Sequence, residues 1–159
     1  MEVHSDFKDL FVLFNAHGVE YLVVGGYALA FHGAPRYTRD MDILIRATRD
    51  NAARMLAAIA EFGFPFELAP EEFDKPDQIL QIGYPPYRVD VITSIDGVSW
   101  EEAWNGRQAG ECGGVPVHFL GRDQFIANKL ASGRLKDLAD VEAIGEQLKP
   151  GLQRKGPRK

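Results

Sequence analysis

The chain has 159 residues, of which 45% are hydrophobic and 11% aromatic, so it is long enough and apolar enough to fold as one domain around a sizeable core. Its 23 acidic and 18 basic residues give a net charge of -5, which argues against a general binder of polyanions. The single cysteine excludes an intrachain disulfide and is typical of proteins from a reducing compartment.

The two ends of the chain differ in charge. The first nine residues are acidic and polar, unlike a secretory signal, and no apolar run approaches the roughly 18 residues that a membrane span needs. We therefore expect a cytoplasmic protein without membrane contact. The last eleven residues, 149–159, hold five bases and no acid, which leaves 13 bases against 23 acids and a net charge of -10 on residues 1–148. This basic tail is predicted to be disordered, with contact to nucleic acid as the alternative.

The first half of the chain is predicted to alternate between helices and strands. Apolar residues spaced i, i+3, i+4, i+7 predict an amphipathic helix over residues 6–17, capped near Ser5. A fully apolar strand over 21–24 leads through two glycines into a short helix over 27–32, and a second strand covers 40–45. A longer helix follows, capped by Thr48 and ended by Gly63, with the inward side chains Leu56, Ile59 and Phe62.

The second half is predicted to contain a hairpin and two closing helices. Alternating segments at 78–83 and 88–93 flank a Tyr-Pro-Pro-Tyr turn, which is typical of an antiparallel hairpin. The remaining predicted elements are a short helix over 99–104, a strand over 115–119, and helices over 122–131 and 136–148. Because a hairpin interrupts the alternation of helices and strands, the pattern favours an α+β fold, with a mixed sheet flanked by helices, over a purely parallel sheet.

The first candidate feature is a glycine pair at the end of the first strand. Gly25 and Gly26 let the backbone approach a ligand closely, and the helix that follows directs unpaired N–H groups toward it. This arrangement favours phosphate. A strand-to-helix turn also requires glycine for steric reasons alone, so both interpretations stay open.

The second feature is a pair of carboxylates that leads into an apolar strand. Residues i and i+2 of a strand share a face, so Asp40 and Asp42 project to the same side. Two adjacent carboxylates can hold a common hard cation such as Mg²⁺. A solvated strand edge, where charges discourage aggregation, is the alternative.

A third carboxylate strengthens the metal interpretation. Asp90 lies inside the apolar segment 87–92, where a charge is costly unless it is paired or bound to a metal. If this strand neighbours the one that holds Asp42, three carboxylates converge near the turn formed by Gly25 and Gly26, called the glycine turn below. Two Mg²⁺ ions about 4 Å apart could then activate a hydroxyl and neutralise a leaving pyrophosphate. A salt bridge from Asp90 to Arg88 or Arg36 is the alternative.

Together these motifs resemble the polymerase-β-like nucleotidyltransferase superfamily. The glycine pair is followed by the run Arg36-x-Thr38-x-Asp40-x-Asp42 and then by the distant Asp90. The closer likeness is to the small prokaryotic members, including those of toxin–antitoxin and abortive-infection systems, and it spans residues 21–93. The resemblance implies an enzyme that moves a nucleoside monophosphate from an NTP to an acceptor hydroxyl and releases pyrophosphate.

The resemblance also implies a role for each residue of the motifs. Asp40, Asp42 and Asp90 would be the catalytic residues and would hold two Mg²⁺ ions, with Asp90 helping to deprotonate the attacking hydroxyl. The NTP would be bound by Gly25, Gly26, Arg36, Thr38 and Lys129. Many members carry serine directly after the first glycine, where this chain has a second glycine. Backbone N–H groups or the threonine hydroxyl would have to replace that contact.

A weaker likeness covers residues 129–142, which are similar to the helix-turn-helix ending of the small members. Lys129 or Lys136 could reach the phosphates as a point charge. The alternative is a structural ion-pair network at the helix corner, formed by Arg134, Lys136, Asp137 and Asp140, and we favour it for the two aspartates. The buried stripe of the last helix is predicted to consist of Leu138, Val141, Ile144 and Leu148.

The sequence leaves the acceptor and the partner open. A tRNA, a protein hydroxyl and a small molecule all fit the implied chemistry, and a cognate toxin or antitoxin is an expected partner. The main alternative function is a non-catalytic nucleotide-binding regulator, or an antitoxin-type interaction module, with the same fold.

Overall fold

A computed structural model of the chain describes residues 1–34, 38–64, 67–84 and 86–148 and contains a six-stranded mixed sheet with flanking helices. The helices are α1 (Ser5–Ala16), α2 (Gly25–Phe31), α3 (Arg49–Phe62), α4 (Trp100–Asn105), α5 (Arg122–Ser132) and α6 (Leu135–Leu148). The strands are β1 (Tyr21–Val24), β2 (Met41–Ile45), β3 (Ile79–Tyr84), β4 (Tyr87–Ile92), β5 (Gln108–Cys112) and β6 (Val115–Phe119). A single 3₁₀ turn spans Pro70–Glu72. The predicted α+β class with a mixed sheet is confirmed.

Two sequence predictions concern parts of the chain that the described ranges omit. The basic tail, residues 149–159, and Arg36 both lie outside them. Within the described ranges, no helix combines the length and the apolar character that crossing a lipid bilayer requires.

The order of strands in the sheet places β4 next to β2. The order is β3-β4-β2-β1-β6-β5, with β2 antiparallel to β1 and parallel to β4. Strands β3 and β4 form the predicted hairpin, in which Tyr84 lies opposite Tyr87. The hairpin therefore adds to the sheet as a unit and sets β4 beside the strand that contains Asp42.

Local sequence determines where the helices begin and end. The His4 side chain accepts a hydrogen bond from the Asp6 N–H, so His4 rather than the neighbouring serine caps α1. Thr48 caps α3 as predicted, accepting from the Asn51 N–H at 3.2 Å. Helix α3 ends at Gly63, whose φ of 113° suits a residue without a Cβ.

The core is built largely from aromatic and branched side chains of α1 and the central strands. The four apolar residues that define the predicted stripe of α1 are all buried, namely Phe7, Leu10, Phe11 and Phe14. In α3, Ile59 is buried as predicted, but Leu56 and Phe62 are only half-buried. Small Ala52 and Ala58 face inward instead and let the helix pack closely. The hydrophobic pattern alone did not predict that these alanines face the core.

Strand β5 is missing from the sequence predictions, because its sequence Gln-Ala-Gly-Glu-Cys has neither a β-branched nor an aromatic residue. It pairs antiparallel with β6 at one edge of the sheet. Gly110 lies against the rings of Phe31 and Phe119, where a Cβ would collide with both. Cys112 is buried in this strand, and burial raises the pKa of its thiol to about 12, which keeps it protonated.

The buried face of α6 differs from the predicted stripe. Of the predicted stripe, Ile144 is buried and Val141 is half-buried, but Leu138 is 42% exposed, and the side chain of Leu148 lies outside the described residues. Asp137 and Asp140 are buried instead in the first turns of the helix. The reason is electrostatic, because Asp137 turns inward to pair with basic groups of the α5–α6 corner.

Candidate active site

Strands β2 and β4 bring two of the predicted catalytic carboxylates side by side. The strands are parallel, and Asp42 lies directly opposite Asp90 in their register. Neighbouring strands are about 4.8 Å apart, and opposed side chains project from the same face of the sheet. Asp40 immediately precedes β2 and lies on the same side. The condition on which convergence of the carboxylates depended, that these two strands are neighbours, is met.

The guanidinium of Arg88 lies between Asp40 and Asp90. Its Nη2 donates to Asp40 Oδ2 at 3.2 Å and to Asp90 Oδ2 at 3.3 Å, and its Nε donates to Asp90 Oδ1 at 3.0 Å. Arg88 and Asp90 are two residues apart on one strand and therefore share a face. The salt bridge that the sequence left open for Asp90 is thus formed, and it extends to a second carboxylate that the sequence did not connect with Arg88.

Asp42 is a carboxylate that lies deep in this part of the site and has a perturbed pKa. Burial raises its pKa to about 6, and the negative charges of Asp90 and Asp40 act in the same direction. Lys129 and Arg88 oppose the shift without cancelling it. A carboxylate whose ionised form is disfavoured in this way gains from a cation placed beside it.

Close contacts beside the acidic residues leave no space for a Cβ at either residue of the glycine pair. Gly25 has a φ of +68°, and a Cβ at this position would overlap the carboxyl group of Asp42. A Cβ at Gly26 would lie 3.0 Å from the Cβ and Oγ1 of Thr38. The steric explanation for glycine therefore holds at both positions. It also shows that the glycine turn, Thr38 and the acidic pair meet in one place.

Thr38 stabilises the segment that enters β2. Its Oγ1 donates to the carbonyl oxygen of Asp40 at 3.3 Å. This hydrogen bond holds the hydroxyl next to the glycine turn, where the sequence predicts phosphate. Arg36, the other predicted NTP-binding residue of this segment, lies outside the described residues.

A cleft of about 480 Å³ opens beside these residues. Gly25, Asp42 and Asp90 line one part of it, and Lys129 and Arg134 line another. Carboxylates and basic groups thus face the same space. Such a lining suits a ligand that is anionic itself and carries a cation, as a nucleoside triphosphate does.

The two basic groups of the cleft are held by one buried carboxylate. Lys129 Nζ lies 3.5 Å from Asp137 Oδ1, and Arg134 Nε donates to Asp137 Oδ2 at 2.7 Å. Burial by itself would raise the pKa of Asp137, but hydrogen bonds from Arg134 and Ser132 and the charge of Lys129 bring that pKa below its ordinary value. The structural role that the sequence analysis favoured for Asp137 agrees with these ion pairs. Through Lys129 and Arg134, the ion-pair network of Asp137 also reaches the cleft. Lys136 is exposed, and Asp140 is buried.

The donor chemistry of this site fits a hard divalent cation. Asp40, Asp42 and Asp90 offer carboxylate oxygens, the ligands that Mg²⁺ prefers, and the ionised form of Asp42 is disfavoured without a nearby cation. In the conformation described, Arg88 supplies positive charge between two of these groups. Among the described residues, no three carboxylate, imidazole or thiol groups are arranged so that they could hold a metal ion in this conformation. A metal ion would therefore share these oxygens with Arg88 or displace it.

Asp137→Asn is expected to lower the free energy of unfolding by about 3 kcal/mol, because removing one member of a buried ion pair leaves the charge of Lys129 without its partner. Urea unfolding followed by circular dichroism measures the loss. The matched control is Asp123→Asn, which removes an 86% exposed carboxylate from α5 and is expected to change stability by less than about 0.5 kcal/mol. Equal effects in the two variants would contradict a buried network.

Comparison with known proteins identifies solved structures whose fold is similar to that of this chain. No protein-family model and no curated protein matches the sequence. The fold is similar to the crystal structure of a Thermotoga maritima protein assigned as a nucleotidyltransferase, with 13% identity, a TM-score of 0.57 and 91% of each chain covered. It is also similar to ANT(2″)-Ia in complex with adenylyl-2″-tobramycin, with 12% identity, a TM-score of 0.54, and 89% of this chain and 87% of that chain covered. Over nearly its whole length, the chain therefore has a nucleotidyltransferase-like fold.

Proposed function

We propose that the protein is a nucleotidyltransferase that moves a nucleoside monophosphate from an NTP to an acceptor hydroxyl and releases pyrophosphate. The observation that supports this most directly is the register of β2 and β4, which sets Asp42 opposite Asp90 beside a glycine turn. The adjoining cleft and the nucleotidyltransferase-like fold agree with it. An interaction module would not need carboxylates held together at an electrostatic cost.

Asp40, Asp42 and Asp90 are proposed to hold Mg²⁺, with two ions expected. Bound there, Mg²⁺ supplies positive charge against the phosphate oxygens and lowers the pKa of a hydroxyl. Asp90 is proposed to take the proton of the acceptor hydroxyl as the new phosphodiester bond forms and the bond to pyrophosphate breaks. Its side chain is 17% exposed at the wall of the cleft, so an acceptor can approach it.

The triphosphate is proposed to lie between the glycine turn and the basic groups of the α5–α6 corner. Gly25 and Gly26 begin α2, whose first backbone N–H groups could donate to phosphate oxygens. Lys129 and Arg134 line the same cleft and provide two positive charges. The sequence predictions placed Lys129 at the NTP but treated Arg134 only as structural. Asp137, three residues after Arg134, could have indicated this role, because its carboxylate pairs with both Arg134 and Lys129.

A small molecule is the acceptor class that we propose. The net charge of -10 on residues 1–148 works against the binding of a polyanion such as tRNA. The neighbour ANT(2″)-Ia has an adenylylated small molecule bound in its structure. A tRNA or protein acceptor and a toxin or antitoxin partner stay predictions of the resemblance, and a cytoplasmic location stays a prediction from composition and the N-terminal sequence.

The experiment that tests this function follows label from α-labelled NTPs. The protein is incubated with Mg²⁺, each of the four NTPs in turn, and a lysate that is afterwards separated into RNA, protein and small-molecule fractions. We expect label in the small-molecule fraction, lost with EDTA and in Asp90→Asn. The control Asp50→Asn removes an exposed carboxylate from the first turn of α3 and is expected to retain transfer.

Each other result of this experiment has a definite meaning. Label in RNA or protein would keep the reaction but change the acceptor class. Mg²⁺-dependent NTP binding without transfer, measured by calorimetry, would support the non-catalytic regulator. If neither transfer nor NTP binding is found, the proposed function is wrong and an interaction module is the better interpretation.

A further inference from the structure

Arg88 makes contacts that exceed what a single structural ion pair requires. Two nitrogens of its guanidinium bind both carboxylate oxygens of Asp90, and one of them also reaches Asp40, which is 48 residues away in the chain. The planar fork of arginine is suited to such a shared contact, whereas a lysine ammonium is a point charge. One side chain thus pairs with two of the three carboxylates of the candidate metal site.

The surroundings of Arg88 leave it room to move. Its side chain is 29% exposed, so the guanidinium is not enclosed by the core. On the outer side of β4, the residue directly opposite Arg88 is Gly83 of the edge strand β3. Gly83 contributes no side chain beside Arg88. The partly exposed guanidinium therefore has a way out of the gap between the carboxylates toward solvent.

We propose that Arg88 is a positioning residue that competes with the divalent cation for Asp40 and Asp90. In the metal-free protein it holds these carboxylates close together against their mutual repulsion. On metal binding its guanidinium moves outward toward solvent. This inference rests on the proposed function in one respect, namely that the three carboxylates bind a divalent cation.

The competition has a measurable consequence for metal affinity. Because the metal must displace a guanidinium that makes three hydrogen bonds, the wild-type protein should bind a free divalent ion weakly. Removing the guanidinium should make binding tighter, whereas the loss of a purely structural ion pair would leave affinity unchanged or weaken it. The direction of the change thus separates the two roles.

The test is a titration with Mn²⁺, in which electron paramagnetic resonance measures the free ion. Arg88→Gln is expected to bind Mn²⁺ at least about tenfold more tightly than wild type, because a charge-assisted pair no longer competes. Arg88→Lys keeps one positive charge but cannot bridge both carboxylates, and it should fall between the two. The matched control is Arg46→Gln, which removes an arginine paired to Glu20 at 3.0 Å just beyond the other end of β2 and should behave as wild type.

Thermal unfolding provides a second readout. Without metal, Arg88→Gln should melt at a lower temperature than wild type, because its carboxylates lack their countercharge. Saturating Mn²⁺ should then raise its melting temperature by more than it raises that of wild type. If Arg88→Gln does not fold, the comparison of Arg88→Lys with wild type decides the question in the same direction.

The possible failures are distinguishable. If wild type binds Mn²⁺ and neither Arg88 variant binds it more tightly, the competition is overturned while the proposed function stands. If tight binding by Arg88→Gln survives the additional change Asp42→Asn, the ion lies elsewhere and the inference is also overturned. If none of the proteins binds Mn²⁺, with or without an NTP, both the inference and the proposed metal site are wrong.

Discussion

Asp42→Asn is expected to abolish nucleotide transfer and at the same time to make the metal-free protein more stable. Transfer should fall by at least about a thousandfold, since charge stabilisation by a bound metal contributes several kcal/mol. The free energy of unfolding at pH 8 should rise by about 2 kcal/mol, because the ionised carboxylate is disfavoured by burial and by its two acidic neighbours. Transfer assays and urea unfolding in EDTA measure the two effects.

The gain in stability should depend on pH in one direction. Between the ordinary pKa of 3.8 and the raised value of about 6, folded Asp42 keeps a proton that the unfolded chain has already released. The wild-type protein therefore loses stability as pH rises through this window, and the full cost applies above it. The difference in melting temperature between Asp42→Asn and wild type should be near zero at pH 4 and largest above pH 7. A difference that is independent of pH would contradict the assigned cause.

Gly25→Ala is expected to damage both the fold and the site. A φ of +68° costs an alanine about 1–2 kcal/mol, and the added Cβ must also push the Asp42 carboxyl away. We expect a loss of about 3 kcal/mol in unfolding free energy and a loss of transfer of at least about a hundredfold, since displacement of a catalytic group by 1 Å has effects of that size. Urea unfolding and the labelled-NTP assay measure the two quantities.

A second glycine separates the backbone effect from the collision. Gly114 has a φ of +84°, but a Cβ there would meet nothing within 4 Å. Gly114→Ala should therefore lose only about 1 kcal/mol and keep full transfer. If Gly25→Ala loses no more stability and no more transfer activity than Gly114→Ala, the close approach of the Gly25 backbone to Asp42 contributes to neither.

The acidic part of the site could be predicted from sequence because its signals are local. Alternation along a strand places Asp40 and Asp42 on one side, and an acidic residue within the apolar segment of β4 identifies Asp90. The contact from Arg88 to Asp40 depends on the register between two strands that are far apart in the chain. Local periodicity carries no information on such a register, so only the pairing of Arg88 with its near neighbour Asp90 could be named as an alternative.

The orientation of α6 shows a different limit. Hydrophobic periodicity placed Leu138 inside, yet Asp137 is fully buried and Leu138 is 42% exposed. The pairing of Asp137 with Lys129 of α5 and with Arg134 at the helix corner outweighs the burial of one leucine. A pattern that scores each residue by its own polarity cannot anticipate a carboxylate that is buried by partners on another element. Strand β5 was overlooked for a related reason, because only its pairing with β6 makes its sequence a strand.

The placement of Arg88 and Asp90 on one strand has a consequence for how the protein folds. A hairpin forms from nearby residues, but its docking onto β2 closes a long loop and belongs to the slow, non-local steps of folding. That docking brings Asp90 against Asp40 and Asp42, which would repel an isolated negative charge. Because Arg88 arrives on the same strand, the incoming pair is electrically neutral. The countercharge is thus already in place before the acidic strands meet, and the polypeptide can assemble a strongly acidic site without waiting for an ion from solution.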